Sequence, residues 1–428
     1  MIVIILDFPE GDILVLKVNR KKAYWFALMI YYALSCVSNV LPAGQVLFMA
    51  DLLLIAALSI KTRGGNRAYF SGMHVYLLLF TAFCFSTMLW AEHPEYVTSK
   101  AVGVLSNCIA IFAISFGYRE LKDTNKLLKA IMYGYYLAVI VAIVFYGPNQ
   151  LISLIKNSDR IAYEGTGAGT IERNTIGMVA AYAIVINIYM LIQNKKIHAY
   201  DMLSLPALFL ILATGSRKAI LIVACGFMGI MLLKNWNKRN MGKSLLKIIG
   251  VVLGLIIIFI LISRLPIFSG MMERLDDIVT ALNGTDYRRG NSAWIRFEYV
   301  LLGIKIFMQN PILGIGLGNT NFYTQAMYGH FHYLHNNYVE LLAATGIVGT
   351  VMYYSIYIHI LSVFWKYRKY RNAEYDICLV ILLIRLVMDF GAVFYYSKVA
   401  YGFLLLFWYK AAHLKDLHKV KLTGNHYR

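Results

Sequence analysis

The stretch "NTIGMVAAYAIVINIYMLI", Asn174 to Ile192, holds nineteen residues without a charge, and Lys195 and Lys196 follow it. As a helix it rises through close to the roughly 30 Å hydrocarbon core of a bilayer. Comparable runs recur along all 428 residues, of which 59% are hydrophobic and 15% charged. Soluble domains carry about 25% charged residues, so a mainly soluble protein is excluded. The mean hydropathy of +0.61 agrees. The expected fold is an all-α polytopic membrane protein.

Working outward from that span, twelve are expected: 23–41, 44–60, 73–91, 101–117, 127–146, 174–192, 200–214, 218–233, 248–265, 337–362, 376–394 and 399–413. One long loop, 266–336, separates the ninth from the tenth, and it holds an interfacial helix. This divides the chain into 1–265 with nine spans, 266–336 as the extracytoplasmic loop, 337–413 with three spans, and a basic cytoplasmic tail, 414–428.

The 41 basic and 22 acidic residues leave a formal charge of +19. A basic balance can mark a nucleic-acid partner, but here the positive residues fall in short clusters between apolar runs. That distribution encodes orientation in a membrane, so no nucleic acid is expected. One set of loops holds Lys17 to Lys22, Lys61 to Arg67, Arg119 to Lys129, Lys195–Lys196, Lys234 to Lys247, "KYRKYR" at 366–371 and the tail after Lys410. Positive charge stays inside, which places both termini in the cytoplasm. The loop 266–336, "EHPEYVTSK", 147–173 and the tight "GSRK" turn then lie outside. The five cysteines sit within apolar spans and read as small buried hydrophobes. "MIVIIL" is too short to span and lacks a cleavage site, so no signal peptide is read there and its role stays open. "NGT" at 283–285 fits a glycosylation sequon.

Within the outer loop, "NSAWIRFEYVLLGIKIFMQNP" reads as a helix stopped by Pro311. On a helical wheel Glu298, Lys305 and Gln309 share a stripe, whereas Arg296 falls about 160° away with Val300, Gly303 and Phe307. A charge on an apolar face needs an anionic partner: an internal salt bridge or an anionic ligand. The glycines of "NPILGIGLGN" lack a preceding strand and the dinucleotide spacing, so they are expected to make a sharp turn back to the membrane.

Three histidines, His330, His332 and His335, crowd into "HFHYLHNN". No nearby Asp, Glu or Cys completes a metal shell, so neither a metal nor a cofactor is expected. His335 stands at the mouth of the tenth span, where a neutral imidazole can accept a proton near pH 7. It is the candidate base, with His332 and Asn336 as candidates for the acceptor side, although spacing alone leaves the choice among the three rings open.

Two further turns carry cations to the outer face. "TGSRKA" offers Arg217 and Lys218 between two short helices, either as anchors to lipid headgroups or as ligands for phosphate oxygens at a helix N-terminus. "IERNTIG" sets Arg173 and Asn174 in the same relation to the sixth span. Deep in the membrane, Arg385 and Asp389 are four apart and should pair. Asp51 has no evident local partner.

The order of spans, the late outer loop and "R…NPILGIGLGN…HNNYVELLAATGIVG" from Arg296 to Gly349 resemble the O-antigen ligase and polysaccharide polymerase superfamily, as does the tight loop at Ser216–Arg217. The close likeness covers about 60 residues. The resemblance implies inverting, metal-independent glycosyl transfer outside the cytoplasm from a polyprenyl-diphosphate-linked glycan. It implies a histidine at the position of His335 serving the acceptor hydroxyl, and arginines at Arg217 and Arg296 holding the diphosphate. His330 and His332 depart from that pattern. A polymerase is favoured, with transfer to lipid A–core and transport of lipid-linked sugars as the alternatives. The expected partners are the lipid-linked oligosaccharide, membrane lipids, a chain-length regulator and a flippase.

Overall fold

The computed structural model describes residues 2–7, 13–59, 70–156, 172–234 and 292–424. The expected ninth span, the loop up to residue 291 with its sequon, and the basic clusters at 61–67 and 238–247 lie outside the described residues.

The chain opens on a two-stranded antiparallel ribbon, β1 (Ile2–Asp7) and β2 (Ile13–Val18), with Ile2 opposite Val18 and Asp7 opposite Ile13. Branched residues at most positions suit a pleated strand, so the apolar start left open by the sequence pairs with the next apolar run. The other described elements are helical. The first group is α1 (Arg20–Val37), α2 (Gly44–Ser59), α3 (Gly72–Ser86), α4 (Pro94–Ser115) and a single turn α5 (Tyr118–Leu121). Then come α6 (Thr124–Lys156), α7 (Arg173–Asn194), α8 (Ser204–Thr214) and α9 (Arg217–Lys234). The last group is α10 (Ser292–Gln309), α11 (Thr320–Tyr328), α12 (Asn337–Lys366), α13 (Ala373–Met388) and α14 (Lys398–Gly424).

Every expected span within the described residues overlaps a helix. Among the described residues, five segments are long and apolar enough to cross a membrane: Gly72–Leu89, Pro94–Ser115, Thr124–Gly147, Arg173–Asn194 and Asn337–Lys366. Gly44–Ser59 and Ala199–Thr214 are shorter apolar helices.

Some boundaries move, each for a local reason. Pro94 starts α4 seven residues before the expected span, because proline suits the first helical position and "EHPEYVTSK" is therefore mostly helix. Helix α6 breaks at Gly147 (φ 67°) and resumes to Lys156. Helix α13 stops at Met388, since the Asn337 side chain accepts the backbone N–H groups of Phe394 and Tyr395 at 2.8 and 3.1 Å and holds them in a turn. Helix α14 continues past the expected span to Gly424, tied by Lys122 to Asp416 and by Tyr370 to His418.

The core is rich in tyrosine, with Tyr31, Tyr32, Tyr135, Tyr353 and Tyr395 fully buried. Several hydroxyls donate to carbonyls of neighbouring helices, Tyr32 to Gly402 and Tyr76 to Tyr353 among them. A phenol thus supplies apolar area and a cross-helix hydrogen bond where no water competes.

Contacts at the helix ends fall into two separate sets. At one end Arg20 donates to the carbonyls of Ala57 and Leu58, Lys21 pairs with Glu120, Asn125 donates to Glu374 and Arg371 reaches Leu233. At the other, His93 meets Asn319, Lys218 meets Gly391, Asn337 meets Asp389 and Lys398 meets Ser38. Each contact joins segments that the distribution of positive charge assigns to one side.

Candidate functional site

The second end of the bundle is organised around the start of α12. Asn336 caps the helix, its side-chain oxygen accepting from the N–H groups of Tyr338 and Val339 at 3.0 and 3.1 Å. Glu340, 2% exposed, accepts from the Leu334 N–H at 2.9 Å and from the Thr320 hydroxyl at 2.8 Å. The Thr324 hydroxyl donates to the His332 carbonyl at 2.6 Å and lies 3.1 Å from the His332 N–H. With both sides of the loop pinned, His335 turns through a left-handed backbone (φ 57°), rare for a residue other than glycine. Such conformations persist only where surrounding contacts over-determine them, and they concentrate at functional sites.

The imidazole of His335 is half-buried, 4.4 Å from the Tyr333 ring and parallel to Tyr299 at 6.0 Å, with His332 6.1 Å away. His330 and His332 are exposed. The three rings therefore have different surroundings, and the half-buried one is His335. Among the described residues no three His, Cys, Asp or Glu side chains gather closely enough to hold a metal ion.

The glycine stretch does more than turn the chain. Helix α12 is interrupted at Gly346 (φ 61°, ψ −166°), which frees backbone groups on both sides. Residues 311–316 take them up: Ile315 and Gly316 donate to the carbonyls of Ala343 and Ala344 at 3.1 and 2.8 Å, while Ile347 and Val348 donate to Pro311 and Ile312 at 2.9 and 3.3 Å. Broken backbone at membrane depth is tolerated when protein re-satisfies it. Gly314, Gly316 and Gly318 all have positive φ, and a side chain on Gly314 would strike the backbone of Ala344 and Thr345. "NPILGIGLGN" and "AATGIVG" are two halves of one joint.

Helix α10 lies along this joint. Tyr299, Leu302 and Ile306 form its buried face, and Gly303 lets Leu334 and Val339 approach. Lys305 and Gln309 are exposed, and Glu298 accepts from the Tyr328 hydroxyl at 3.1 Å. Burial and that bond lift the Tyr328 phenol to about 12. Arg296, half-buried, stands one turn before the tyrosine that parallels His335.

Two helix N-termini approach from the other side. The turn Thr214–Ser216 packs on Gly177 of α7, where an added Cβ would lie 2.8 Å from that of Ser216. Arg173 and Asn174 in the first turn of α7 therefore share a neighbourhood with Arg217 and Lys218, the first residues of α9. The Lys218 ammonium donates to the Gly391 carbonyl and lies within Coulombic reach of Arg296 and Glu172. Tyr333 joins the groups: burial and then the Glu172 carboxylate lift its phenol above the ordinary range, while Arg296 acts in the opposite sense. It stays a neutral hydrogen-bond donor beside the His335 ring.

The structure thus brings Arg296, Lys218, Tyr333 and His335 into one neighbourhood, with Arg217, Arg173 and Asn174 at the adjoining helix ends. Asn336 has its side-chain oxygen engaged as a helix cap, and His332 is exposed between the rings of His330 and His335. The sequence reading did not single out Glu340, Glu172, Tyr333 or Tyr396. Only Glu340 had a legible signal, an acidic residue in the first turn of a membrane helix. The expected Arg385–Asp389 pair is present and buried, with Asp389 also accepting from Tyr354 at 2.9 Å and lying beside Asn337. Asp51 is buried on α2 within Coulombic reach of Tyr31.

Residues 202–354, from the start of α8 into α12, match a family model described as O-antigen ligase. Over that segment the chain is similar to the O-antigen ligase family. The segment contains Arg217, Lys218, Arg296, His335 and the Gly346 break, and the match bears out the resemblance read from the sequence. The chain is also 26% identical over 380 residues, 81% of its own length and 75% of the relative's, to the teichuronic acid biosynthesis protein TuaE of Bacillus subtilis (strain 168). The apolar helices, the match to the O-antigen ligase family and the likeness to the teichuronic acid protein together support a multi-pass membrane protein of polysaccharide biosynthesis, of the ligase or polymerase type.

Proposed function

We propose that this protein polymerises polyprenyl-diphosphate-linked oligosaccharide repeat units into a surface polysaccharide on the outer face of a bacterial cytoplasmic membrane. The observation that carries the reading is the meeting of Arg296 and Lys218 with Tyr333 and His335, drawn from three distant parts of the chain to one end of the bundle. That end is the one with the poorer share of positive loops, which the orientation rule assigns to the outside.

Outside the cytoplasm no nucleotide sugar is at hand, so the activating group must arrive on the substrate. The acceptor hydroxyl attacks the anomeric carbon from the face opposite the diphosphate, a bond to the new oxygen forms, and the carbon–oxygen bond to the diphosphate breaks with inversion. The electron pair leaves on the diphosphate, and the hydroxyl proton passes to the His335 imidazole. Arg217 and Arg296, with Lys218 and Arg173 at two helix N-termini, neutralise the departing charge without a divalent ion, and the Asn174 amide donates a hydrogen bond to it. A base in reach of the attacking hydroxyl contributes about 10²–10⁴-fold.

Both termini are cytoplasmic in this reading, and a flippase and a chain-length regulator act before and beside the enzyme. The test is purified protein in liposomes with a synthetic lipid-diphosphate repeat unit. A ladder of longer glycans is expected. Transfer only to an added lipid A–core acceptor would make the protein a ligase, the reading that the family's description favours. Movement across the bilayer with no new glycosidic bond would make it a transporter.

A further inference from the structure

Helix α4 presents one stripe to the site just described. His93, at its N-cap, Tyr96, Lys100, Gly103 and Asn107 recur at steps of three and four, so they share a face. At the outer end the His93 ring stacks on Phe322 of α11 at 3.7 Å and 18°. Tyr96 meets Phe322 edge-on at 4.8 Å and Phe331 at 5.4 Å. One turn further in, the Lys100 ammonium lies 4.3 Å from the centre of the Tyr396 ring. Gly103 gives Tyr396 room, a Cβ there falling 3.4 Å from the tyrosine's own, and Asn107 donates to the Tyr396 carbonyl at 2.9 Å. Tyr396 lies in the field of Glu340 and Glu172, and Lys100 in that of Glu340. The stripe therefore starts at an aromatic cluster at the bundle's end, where Tyr96 meets Phe331 of the His335 loop, and runs inward to Lys100 and Tyr396.

The cluster is not simply core. Phe331 remains 40% exposed, four residues before His335 and between the exposed His330 and His332. Lys100 and Tyr396 both lie outside the segment that matches the O-antigen ligase family. A sugar ring has a face of C–H groups and a rim of oxygens. The first suits an aromatic face and the second suits an ammonium donor. Aromatic rings outside with a cation inside is the order in which a glycan entering from the aqueous side would need them.

We propose that the α4 stripe is a glycan-binding track, in which His93–Phe322, Tyr96 and Phe331 take the faces of successive sugar residues and Lys100 over Tyr396 holds oxygens of the sugar nearest the reaction centre. It rests on the reading of the protein as a glycan-joining enzyme and adds where the saccharide chain lies. The competing account of exposed rings at such a height is an aromatic belt facing lipid headgroups, which would bind no saccharide.

The test separates binding from chemistry. Full-length protein in lipid nanodiscs is titrated with a lipid-free repeat-unit oligosaccharide, released from the source cell's own polymer and followed by saturation-transfer NMR. Wild type is expected to bind saturably. Phe331→Leu, which keeps apolar volume without a π face, and Lys100→Gln should each weaken binding about two- to tenfold, the range expected of one aromatic contact. Phe331→Tyr should restore affinity, and Phe26→Ala, at a position on α1 that is 62% exposed, should not alter it. Absence of saturable binding by wild type, or wild-type affinity in both Phe331→Leu and Lys100→Gln, would overturn the track. The same preparations are given the lipid-linked repeat unit. Elongation without oligosaccharide binding would leave the enzyme reading intact, and binding without elongation would leave the track and remove the enzyme reading.

Discussion

At the scale of the residue, His335 joins a backbone that few side chains adopt to a ring set between two tyrosines. Holding a non-glycine residue at φ 57° costs about 1–2 kcal/mol, and the bonds from Glu340 and Thr324 to its neighbours enforce it. Asparagine tolerates this region better than most residues, so His335→Asn should fold at least as well as wild type and yet lose the base. Chain elongation by that variant should fall about 10²–10⁴-fold with an unchanged melting temperature. Near-normal product ladders on a gel would remove His335 from the chemistry. Arg296 tests the leaving-group side. Arg296→Lys keeps the charge but not the fork of donors, and one charge-assisted hydrogen bond of about 1.5–3 kcal/mol corresponds to a loss of about 10- to 100-fold in kcat/KM. Steady-state kinetics with the lipid-linked donor would read it, and unaltered constants would make Arg296 a structural residue.

At the scale of the element, the most informative object is the joint between the glycine turn and the break in α12. Gly346 needs a positive φ and also lies against the backbone of Ile312 and Leu313, so Gly346→Ala combines backbone strain with a collision that no side-chain rotation relieves. Gly329 also has a positive φ (72°), but its ψ of 10° puts it in the left-handed helical region that a side chain tolerates better, and nothing lies within 4 Å of an added Cβ. Gly329→Ala should therefore cost only the backbone term, about 1 kcal/mol, and lower the melting temperature by a few degrees at most. Gly346→Ala should lose several kcal/mol and yield little folded protein. Fluorescence-detected size-exclusion and thermal melts in detergent compare the two, and equal melting temperatures would mean that the joint is not what stabilises this end of the bundle. The same comparison shows what sequence could and could not reveal. The spacing of "NPILGIGLGN" announced a turn, but what the turn fills is a gap some thirty residues later, and no local pattern encodes that pairing.

At the scale of the molecule, the helical membrane character was legible because length and hydropathy are local properties of each run. The side of each loop is an expectation drawn from charge, and contacts at the two ends of the bundle join the loops so sorted. The candidate site could be proposed from sequence where a charge stood out from apolar surroundings, as with Arg296, Arg217 and His335. It was not legible at Glu340, Lys100 or Tyr396, whose meaning depends on groups up to about 300 positions away. The reaction scheme depends in turn on which end of the bundle faces outward, and two exposed positions report it. His330 lies on the loop beside the candidate base, and Val420, 68% exposed, lies near the end of α14. In a variant with the five native cysteines replaced, His330→Cys should react with a membrane-impermeant maleimide on intact cells whose outer barriers have been removed. Val420→Cys should react only after the membrane is opened. The opposite pattern would put the arginines and the imidazole in the cytosol, where nucleotide sugars are plentiful and a lipid-linked donor outside the cell is out of reach.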